Sequence, residues 1–250
     1  MDYMNEPDPC ARCQIDPRVP SFAMASSAPL LSGVSAVVFD AYGTLFDVHS
    51  AVARHAAAIG PEAARFSEVW RGKQLEYSWV LSLAGRYEPF WILTEQALDY
   101  AFARFPDVDR RLRPALLEAY RTLDAYGDAG PTLAALRQRG LRTGILSNGD
   151  PAMLEAAVAS AGLAENLDAV LSVDAAQVFK THPRAYDIAL TALSVAADEV
   201  AFVSSNRWDI AGATAFGFRT IWINRAGLPD EYAELAPRAV VSSLEDLLRV

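Results

Sequence analysis

The sequence predicts an α/β protein in which a parallel sheet is interrupted, after its first strand, by an inserted helical domain. A short apolar run at residues 35–40 is typical of a buried strand. From about residue 48 to residue 126, apolar side chains recur every three or four positions, as in amphipathic helices. After residue 130, strand-like and helix-like stretches alternate, which is typical of a parallel sheet covered by helices on both faces.

The first predicted strand, "SAVVFD", contains β-branched valines and ends at Asp40. The helical block that follows has three amphipathic stretches, at residues 68–85, 92–105 and 111–126, with no strand between them. Because this block directly follows the first strand, we expect it to cap the carboxyl ends of the strands. Open α/β sheets bind their ligands at that edge.

The rest of the chain predicts four helices that alternate with four strands. Three of the helical stretches end in glycine, a common residue at helix C-termini. The predicted helices are 131–140, 151–162, 183–193 and 209–217, and the predicted strands are 142–148, 169–173, 199–206 and 219–224. The predicted domains are therefore a core of residues 34–46 and 127–250 and a helical cap of residues 47–126.

Residues 1–33 are rich in Pro, Ser, Asp and Ala, and we expect them to form a flexible N-terminal extension. They lack the basic segment and continuous apolar segment of a signal peptide. The two cysteines of the chain, Cys10 and Cys13, lie in this extension, and one isolated Cys-x-x-Cys is a weak metal signal. A core without cysteine fits the reducing cytoplasm, which is the predicted location.

Composition limits the classes of partner. The chain has 250 residues, a net charge of −9 and a pI near 4.8, which argues against nucleic acid and anionic membranes as partners. No apolar run reaches the roughly 18 residues that a membrane-spanning helix needs. An anionic small molecule remains compatible with this charge, because a local basic pocket can outweigh the overall field.

Polar side chains follow four apolar segments: "VVFDAYGTL", "GILSNGD", "QVFKTHP" and "AFVSSNRWD". The carboxyl ends of parallel strands meet at one edge of a sheet, so these side chains should converge on one crevice. A lone aspartate after a strand is more often a helix N-cap or turn residue than a nucleophile. Four such segments in this order favour a catalytic site instead.

These segments, together with "FDAYGTLFDVHS", "WRGKQLEYSW", "LSNG", "VFKTHPRAY" and "FVSSNRWDIAGA", resemble the haloacid dehalogenase superfamily over residues 35–245. In detail they are similar to the L-2-haloacid dehalogenases. The resemblance implies a Rossmann-like parallel sheet core with an inserted helical cap. It also implies hydrolysis of short L-2-haloacids, such as 2-chloropropionate, to D-2-hydroxyacids and halide.

The resemblance makes Asp40 the nucleophile. Its carboxylate attacks the α-carbon, expels halide and forms an ester, whose carbonyl is then attacked by water. Phosphatases of the superfamily place a second acid two residues later, where this chain has Tyr42. A departing halide needs no proton, so Tyr42 favours carbon–halogen chemistry, and the resemblance implies no metal or other cofactor. Thr44 is expected to hydrogen-bond to the Asp40 carboxylate.

Lys180 is expected at the end of a strand, where its charge would keep Asp40 ionised in a dry pocket. Tyr186 would orient Lys180 or the substrate carboxylate. Ser147 and Asn148 precede a predicted helix, and a hydroxyl beside free N–H groups is typical of an anion site. By resemblance, these two residues hold the substrate carboxylate and Asp40.

Three polar residues at the end of the fourth segment are Ser204, Asn206 and Asp209. The resemblance implies that they position Asp40 and orient the hydrolytic water. The residues leave open whether Asp209, Lys180 or Asn206 activates that water. His182, in the same region, is more often a loop residue than a catalytic base.

Arg71 is the cap residue with a predicted catalytic role. Its plain interpretation is a solvated helix arginine, but in the "WRGKQLEYSW" motif it matches the halide-accepting arginine of the family, and its charge is permanent. The positions that match the apolar wall of the family's pocket are Tyr42, Leu75, Phe90 and Trp208. The resemblance also implies a homodimer formed through the cap helices.

Two alternatives remain beside the dehalogenase. One is a Mg²⁺-dependent phosphatase of the same superfamily, which Tyr42 and the "SSNRWD" segment disfavour. The other is a catalytically silent binding module, which the complete set of polar residues disfavours. Sensitivity of turnover to EDTA distinguishes the phosphatase from the dehalogenase. The absence of a covalent adduct with any 2-haloacid would favour the silent binding module.

Overall fold

A computed structural model describes residues 30–249 of the chain. Cys10, Cys13 and most of the predicted N-terminal extension lie outside these residues. Residues 30–33 form a turn in which two leucines pack against the core. The Ser32 carbonyl accepts a 2.6 Å hydrogen bond from Arg219, which ties this turn to the sheet.

The core contains a six-stranded sheet in which every neighbouring pair of strands is parallel. The strand order is β3-β2-β1-β4-β5-β6. The strands are β1 (Ala36–Phe39), β2 (Arg142–Ser147), β3 (Ala169–Ser172), β4 (Val200–Ser204), β5 (Arg219–Ile223) and β6 (Ala239–Val241). The α/β fold class predicted from the sequence is confirmed. The edge strand β6 was not predicted, because three residues are too short for a clear periodic signal.

The helices lie in two groups. Five follow β1 directly, without a strand between them, and we call them the cap helices: α1 (Ser50–Ala53), α2 (Ala56–Ile59), α3 (Ala63–Leu83), α4 (Phe90–Arg104) and α5 (Arg113–Arg121). Four alternate with the later strands: α6 (Ala129–Gln138), α7 (Pro151–Ser160), α8 (Pro183–Leu193) and α9 (Arg207–Phe216). None of the helices among residues 30–249 combines the length and the apolar character that crossing a membrane requires.

Strand β1 is central and fully buried, which explains its uninterrupted apolar sequence. Phe39 pairs with Ile145 of β2 on one side and with Val203 of β4 on the other. The strand order therefore reverses direction at β1, and residue 40 lies at this switch point. Crevices at such points are the ligand sites of open α/β sheets.

The chain enters and leaves the cap helices at adjacent points. Phe46 and Ala125 form an isolated antiparallel bridge. On either side of it, Asp47 N–H donates to the Asp124 carbonyl at 2.8 Å, and Tyr126 N–H donates to the Leu45 carbonyl at 2.9 Å. The helical insertion is therefore connected to the core by two short segments that lie side by side.

Three further hydrogen bonds join the cap helices to the core. The Asp150 carboxylate accepts from Trp91 N–H at 3.1 Å and also caps α7 through Met153 N–H at 3.1 Å. Tyr87 donates to Asp174 at 2.9 Å, and Phe179 N–H donates to Ser82 at 3.0 Å. These contacts hold the cap helices over the carboxyl end of the sheet.

Lys180 does not end a strand, so this prediction was wrong. Strand β3 ends at Ser172, a 3₁₀ turn follows at Val173–Ala176, and Lys180 lies in the loop before α8. The apolar character of "QVFK" serves packing against the cap, because the Phe179 ring lies 4.9 Å from the Tyr87 ring and 5.8 Å from the Phe90 ring. The loop nevertheless brings Lys180 to the crevice.

Candidate active site

Asp40 lies directly beyond β1 and is 5% exposed. Its Oδ2 accepts hydrogen bonds from Asn206 at 2.7 Å, from Thr44 at 3.2 Å and from Ser204 at 3.4 Å. Its Oδ1 is 3.1 Å from Lys180 Nζ. One carboxylate oxygen is thus held by three donors, while the other meets a single cation among the described residues.

The turn after Asp40 is shaped to deliver Thr44. Gly43 has φ of +95°, and a Cβ there would approach Ser205 Oγ to 3.2 Å, so the position favours glycine. Ser205 holds two residues of this turn. Its N–H donates to Thr44 Oγ1 at 2.9 Å, and its hydroxyl donates to the Gly43 carbonyl at 2.7 Å. Sequence reasoning missed Ser205, although it stands beside the predicted Ser204.

Lys180 is fully buried between two carboxylates. Besides Asp40, its ammonium contacts Asp209 Oδ2 at 2.8 Å. Tyr186, also buried, donates to Asp209 Oδ1 at 2.8 Å. Tyr186 therefore orients Lys180 indirectly, through Asp209. The sequence did not predict Asp209 as the residue between them. The four side chains form a continuous buried chain that ends at the Asp40 carboxylate.

Charges within this chain set the protonation states. Burial would lower the pKa of Lys180, but the carboxylates of Asp209 and Asp40 outweigh it and raise that pKa, so Lys180 is a cation. Burial, together with repulsion from Asp40, raises the pKa of Asp209 from 3.8 to about 6, although Lys180 and Tyr186 oppose the shift. Asp209 consequently gains or loses a proton near neutral pH.

Ser147 and Asn148 lie at the carboxyl end of β2. Ser147 Oγ accepts from Gly149 N–H at 3.1 Å, and Asn148 Oδ1 accepts from Lys180 N–H at 2.9 Å. The Asn148 Nδ2 amide is buried without a hydrogen-bond partner among residues 30–249. Buried donors are normally satisfied, so this amide is available for an anionic ligand.

Arg71 reaches from α3 to the core. Its Nη2 donates to the Tyr42 carbonyl at 3.3 Å, and the same carbonyl accepts from Asn206 Nδ2 at 3.1 Å. Since Asn206 also holds Asp40, the cap arginine is connected to the predicted nucleophile through one amide. Arg71 also donates to Gln74 on its own helix at 3.3 Å.

The four predicted wall residues differ in burial and do not line one common groove. Tyr42 and Phe90 are buried, and the Tyr42 ring stacks on the Tyr120 ring with centroids 5.9 Å apart. Burial raises the pKa of Tyr42 well above its usual value, so its phenol stays neutral. Leu75 and Trp208 are half-buried.

Trp208 lines an open groove of about 600 Å³ between the end of α3 and α9, together with Lys180 and Trp79. The Trp79 and Trp208 rings meet edge to face with centroids 5.4 Å apart. Tyr42, Leu75 and Phe90 do not line this groove. Trp208 and Lys180 thus share a groove that the other three predicted wall residues do not line.

His182 lies outside the buried chain. It is exposed, and its Nδ1 accepts a 3.2 Å hydrogen bond from Arg184 N–H, which makes it the N-cap of α8. The interpretation of His182 as a loop residue agrees with this contact. Within residues 30–249, no group of three or more His, Cys, Asp or Glu side chains is arranged to hold a metal ion.

Gly212, on α9, allows the close approach of Tyr186 to Asp209. A Cβ at this position would lie 2.5 Å from the Tyr186 hydroxyl and 2.6 Å from Thr181 Cβ. We expect Gly212→Ala to displace Tyr186 and lower the free energy of unfolding by about 1–3 kcal/mol, the usual cost of overpacking. Urea denaturation measures this loss.

The matched control for this change is Gly72→Ala on α3, where an added Cβ would meet nothing within 4 Å. It should instead stabilise the protein by up to about 1 kcal/mol, because alanine is the better helix former. A Gly212→Ala protein as stable as the wild type would contradict the packing described for Tyr186.

Comparisons with known proteins bear on this arrangement. The profile of the haloacid dehalogenase-like hydrolases matches residues 34–217. The chain therefore belongs to the haloacid dehalogenase-like hydrolase family. It is 50% identical, over 86% of its length and 95% of the relative, to (S)-2-haloacid dehalogenase 1 of Pseudomonas sp. strain CBS-3. It is 47% identical, over 87% and 95% of the two lengths, to (S)-2-haloacid dehalogenase 4A of Burkholderia cepacia.

A solved structure adds a chemical observation. The L-2-haloacid dehalogenase from Xanthobacter autotrophicus, with chloropropionic acid covalently bound, superposes with a TM-score of 0.77 at 40% identity. The match covers 86% of this chain and 97% of that protein. Within its family, the chain thus belongs with the (S)-2-haloacid dehalogenases, as the sequence motifs predicted.

Proposed function

We propose that this protein hydrolyses short L-2-haloacids to D-2-hydroxyacids, with Asp40 as the nucleophile. The state of the Asp40 carboxylate carries this proposal. Oδ2 is held by three donors, so Oδ1 is the oxygen left to attack the α-carbon of the substrate. Attack from the face opposite the halogen breaks the carbon–halogen bond, forms an ester and inverts the carbon.

In this proposal Arg71 supplies the cation for the departing halide, and Asn148 supplies a donor for the substrate carboxylate, the role that the resemblance gives it. The guanidinium is permanently charged and half-buried, and the free Nδ2 amide of Asn148 is a neutral donor. Halide leaves as an anion and requires no proton. The residue two places after Asp40 is Tyr42, which is therefore compatible with this reaction. Cleavage of a phosphate ester would need an acid at that position.

The second step returns Asp40 to its free state. Water attacks the ester carbonyl carbon, and the bond from that carbon to Oδ1 breaks, so Oδ1 departs with the hydroxy acid. Oδ2 carries the negative charge of the tetrahedral intermediate, and the donors from Asn206, Ser204 and Thr44 stabilise it as an oxyanion hole. We assign the role of base to Asp209, which accepts one proton of the water and passes it to the departing alkoxide, while the second proton leaves the regenerated Asp40 carboxyl to solvent.

Halide release from L- and D-2-chloropropionate, measured with EDTA present, tests the proposed function. We expect release from the L form alone. A single turnover in H₂¹⁸O should place the label on Asp40, because the oxygen of water enters its carboxylate. Absence of halide release, together with Mg²⁺-dependent turnover of phosphate esters, would instead support the phosphatase.

The division into core, cap and N-terminal extension, the cytoplasmic location and a homodimer belong to the same proposal. The outer end of α3 supports the dimer, because Val80 is 56% and Leu83 is 90% exposed. Ile92 and Tyr100 expose further apolar surface on the neighbouring helix α4. Sedimentation of the wild type and of Leu83→Glu checks this assembly, which the substitution should weaken.

Arg71→Ala should lower kcat/KM by about 10²–10³-fold, the size expected when one charge-stabilising donor is lost. Arg65→Ala is the matched control on the same helix, because Arg65 is exposed and pairs with Glu62 at the surface. It should leave halide release almost unchanged. Equal losses in the two variants would remove Arg71 from the site.

The raised pKa of Asp209 predicts an acid limb in the pH profile. As pH falls through about 6, Asp209 becomes protonated and can no longer accept a proton from water. Ester formation on Asp40 does not need this base. Below pH 6 we therefore expect one rapid equivalent of halide per active site followed by slow turnover. Constant steady-state turnover down to pH 5 would contradict this role for Asp209.

A further inference from the structure

Gln74 is a fully buried amide in the cap, and no step of the reaction described above uses it. It lies on the inner face of α3, in a buried stripe with Phe66, Trp70 and Ser78 at intervals of one helical turn. A buried amide is costly unless its polar atoms are paired. The contacts of Gln74 therefore need an explanation.

The two ends of the Gln74 amide have different partners. Oε1 accepts from Tyr120 at 3.0 Å and from Arg71 Nη1 at 3.3 Å. Nε2 donates to Thr94 Oγ1 at 3.4 Å, and the Thr94 hydroxyl in turn donates to the Phe90 carbonyl at 2.9 Å. Because arginine can only donate, Oε1 must face Arg71, which fixes the orientation of the amide.

Arg71 is consequently held by two neutral oxygens, one from Gln74 and one from the Tyr42 carbonyl. Within residues 30–249 it forms no ion pair with a carboxylate. Its positive charge is oriented without being neutralised. A half-buried guanidinium in this state is suited to an anionic ligand.

Tyr120 connects the same network to the nucleophile loop. Its hydroxyl donates to Gln74, while its ring stacks on Tyr42 and lies 5.0 Å from Trp70. Tyr42 stands two residues after Asp40 and provides the carbonyl that Arg71 contacts. Arg71 and the nucleophile loop are therefore positioned against a common buried group.

We propose that Gln74, supported by Tyr120, is a positioning residue that holds the Arg71 guanidinium at the halide-accepting position while leaving its charge free. This inference rests on the proposed function, because it assumes that Arg71 accepts the halide. It explains why the residue is glutamine. A glutamate of the same size would pair with Arg71 and neutralise the charge that the halide requires.

The test measures bromide binding separately from turnover. Bromide titration, followed by tryptophan fluorescence of the Trp70 region, should show binding to the wild type that Arg71→Ala abolishes. Gln74→Glu should weaken bromide binding at least tenfold and should slow single-turnover halide release by about 10–100-fold, as misplacement of a catalytic group does. The loss should be larger for 2-chloropropionate than for 2-bromopropionate, because chloride is the poorer leaving group.

Gln96→Glu is the matched control, because it makes the same chemical change at an exposed position of α4. It should bind bromide and release halide like the wild type. Tyr120→Phe keeps the ring and removes one donor to Gln74, so it carries the test if Gln74→Glu does not fold. It should weaken bromide binding while KM for the haloacid changes less than kcat.

The outcomes separate the two claims. If the wild type binds bromide, and folded Gln74→Glu and Tyr120→Phe bind it equally well, the positioning role alone is overturned. Bromide binding that responds to these substitutions, in a protein that releases no halide from any 2-haloacid, would support the positioning role and overturn the proposed function. No bromide binding by the wild type would overturn the assignment of Arg71 and, with it, that of Gln74.

Discussion

Replacement of Asp40 by asparagine should abolish halide release from 2-chloropropionate. An amide is a poor nucleophile, and it cannot form the ester on which both steps depend. We expect a loss of at least about 10⁴-fold in kcat, in line with the removal of a nucleophile from other hydrolases. Intact-protein mass spectrometry after rapid quenching should detect the ester in the wild type and not in Asp40→Asn.

The asparagine variant is expected to fold. Its amide oxygen can occupy the position of Oδ2 and keep the hydrogen bonds from Asn206, Thr44 and Ser204. Lys180 retains its contact with Asp209 at 2.8 Å. The loss of activity therefore reports on the nucleophile, and circular dichroism can verify that the fold is intact.

Asp47→Asn is the matched control for this change. Asp47 follows in the same loop, and its carboxylate accepts from His49 N–H at 2.9 Å. It does not contact Asp40 in the described part of the chain. Turnover of Asp47→Asn should stay within a few-fold of the wild type. Substantial halide release by Asp40→Asn would refute the covalent mechanism.

Lys180→Met should have the second largest effect. It would leave Asp40 and Asp209 facing each other in a buried site without their shared cation. Removing one partner from a buried ion pair typically costs about 3–5 kcal/mol of unfolding free energy. Activity should fall by at least about 10³-fold, because the charge that keeps Asp40 ionised is lost.

A second substitution separates stability from activity in this variant. Lys180→Met with Asp209→Asn removes one of the two stranded carboxylates, so it should recover much of the lost stability. It should not recover the first-turnover release of halide, a step that does not use Asp209 as a base, because Asp40 still lacks its cation. Recovery of that first-turnover release in the double variant would show that Lys180 serves folding rather than catalysis.

The chain provides its own control for this experiment. It contains two lysines, Lys73 and Lys180. Lys73 lies near the surface of α3 and pairs with Glu76 at 2.7 Å. Lys73→Met should change neither stability nor turnover appreciably, since surface ion pairs contribute little.

Much of the fold could be predicted from local patterns. Strand β1 is apolar because it is buried on both faces, and the alternation after residue 130 predicted the parallel sheet. The same logic brought Asp40 and Ser204 together, because parallel strands end at one edge. The loop of Lys180 was misjudged as a strand, because packing of Phe179 against the cap gives the same apolar sequence signal as burial in a sheet.

The groups that sequence reasoning missed act over long sequence distances. Gln74 sits on the buried face of α3, but a polar side chain on a helix is usually read as solvent-exposed. Its partner Tyr120 is 46 residues away. Nothing in either local sequence indicates that the two meet. Likewise, the free amide of Asn148 follows from the packing of the Lys180 loop, which local patterns do not reveal.

The side-by-side entry and exit of the cap helices have a consequence for folding kinetics. Strand β1 pairs with β2 and β4, both of which follow the whole insertion in the chain. Such distant pairing is slow while the intervening segment is an open loop. Contacts within the cap are more local, and their formation brings Phe46 beside Ala125. We therefore expect the insertion to fold early. Its folding holds the two ends of the insertion together, and this should speed the pairing of β1, which carries the nucleophile, with β2 and β4.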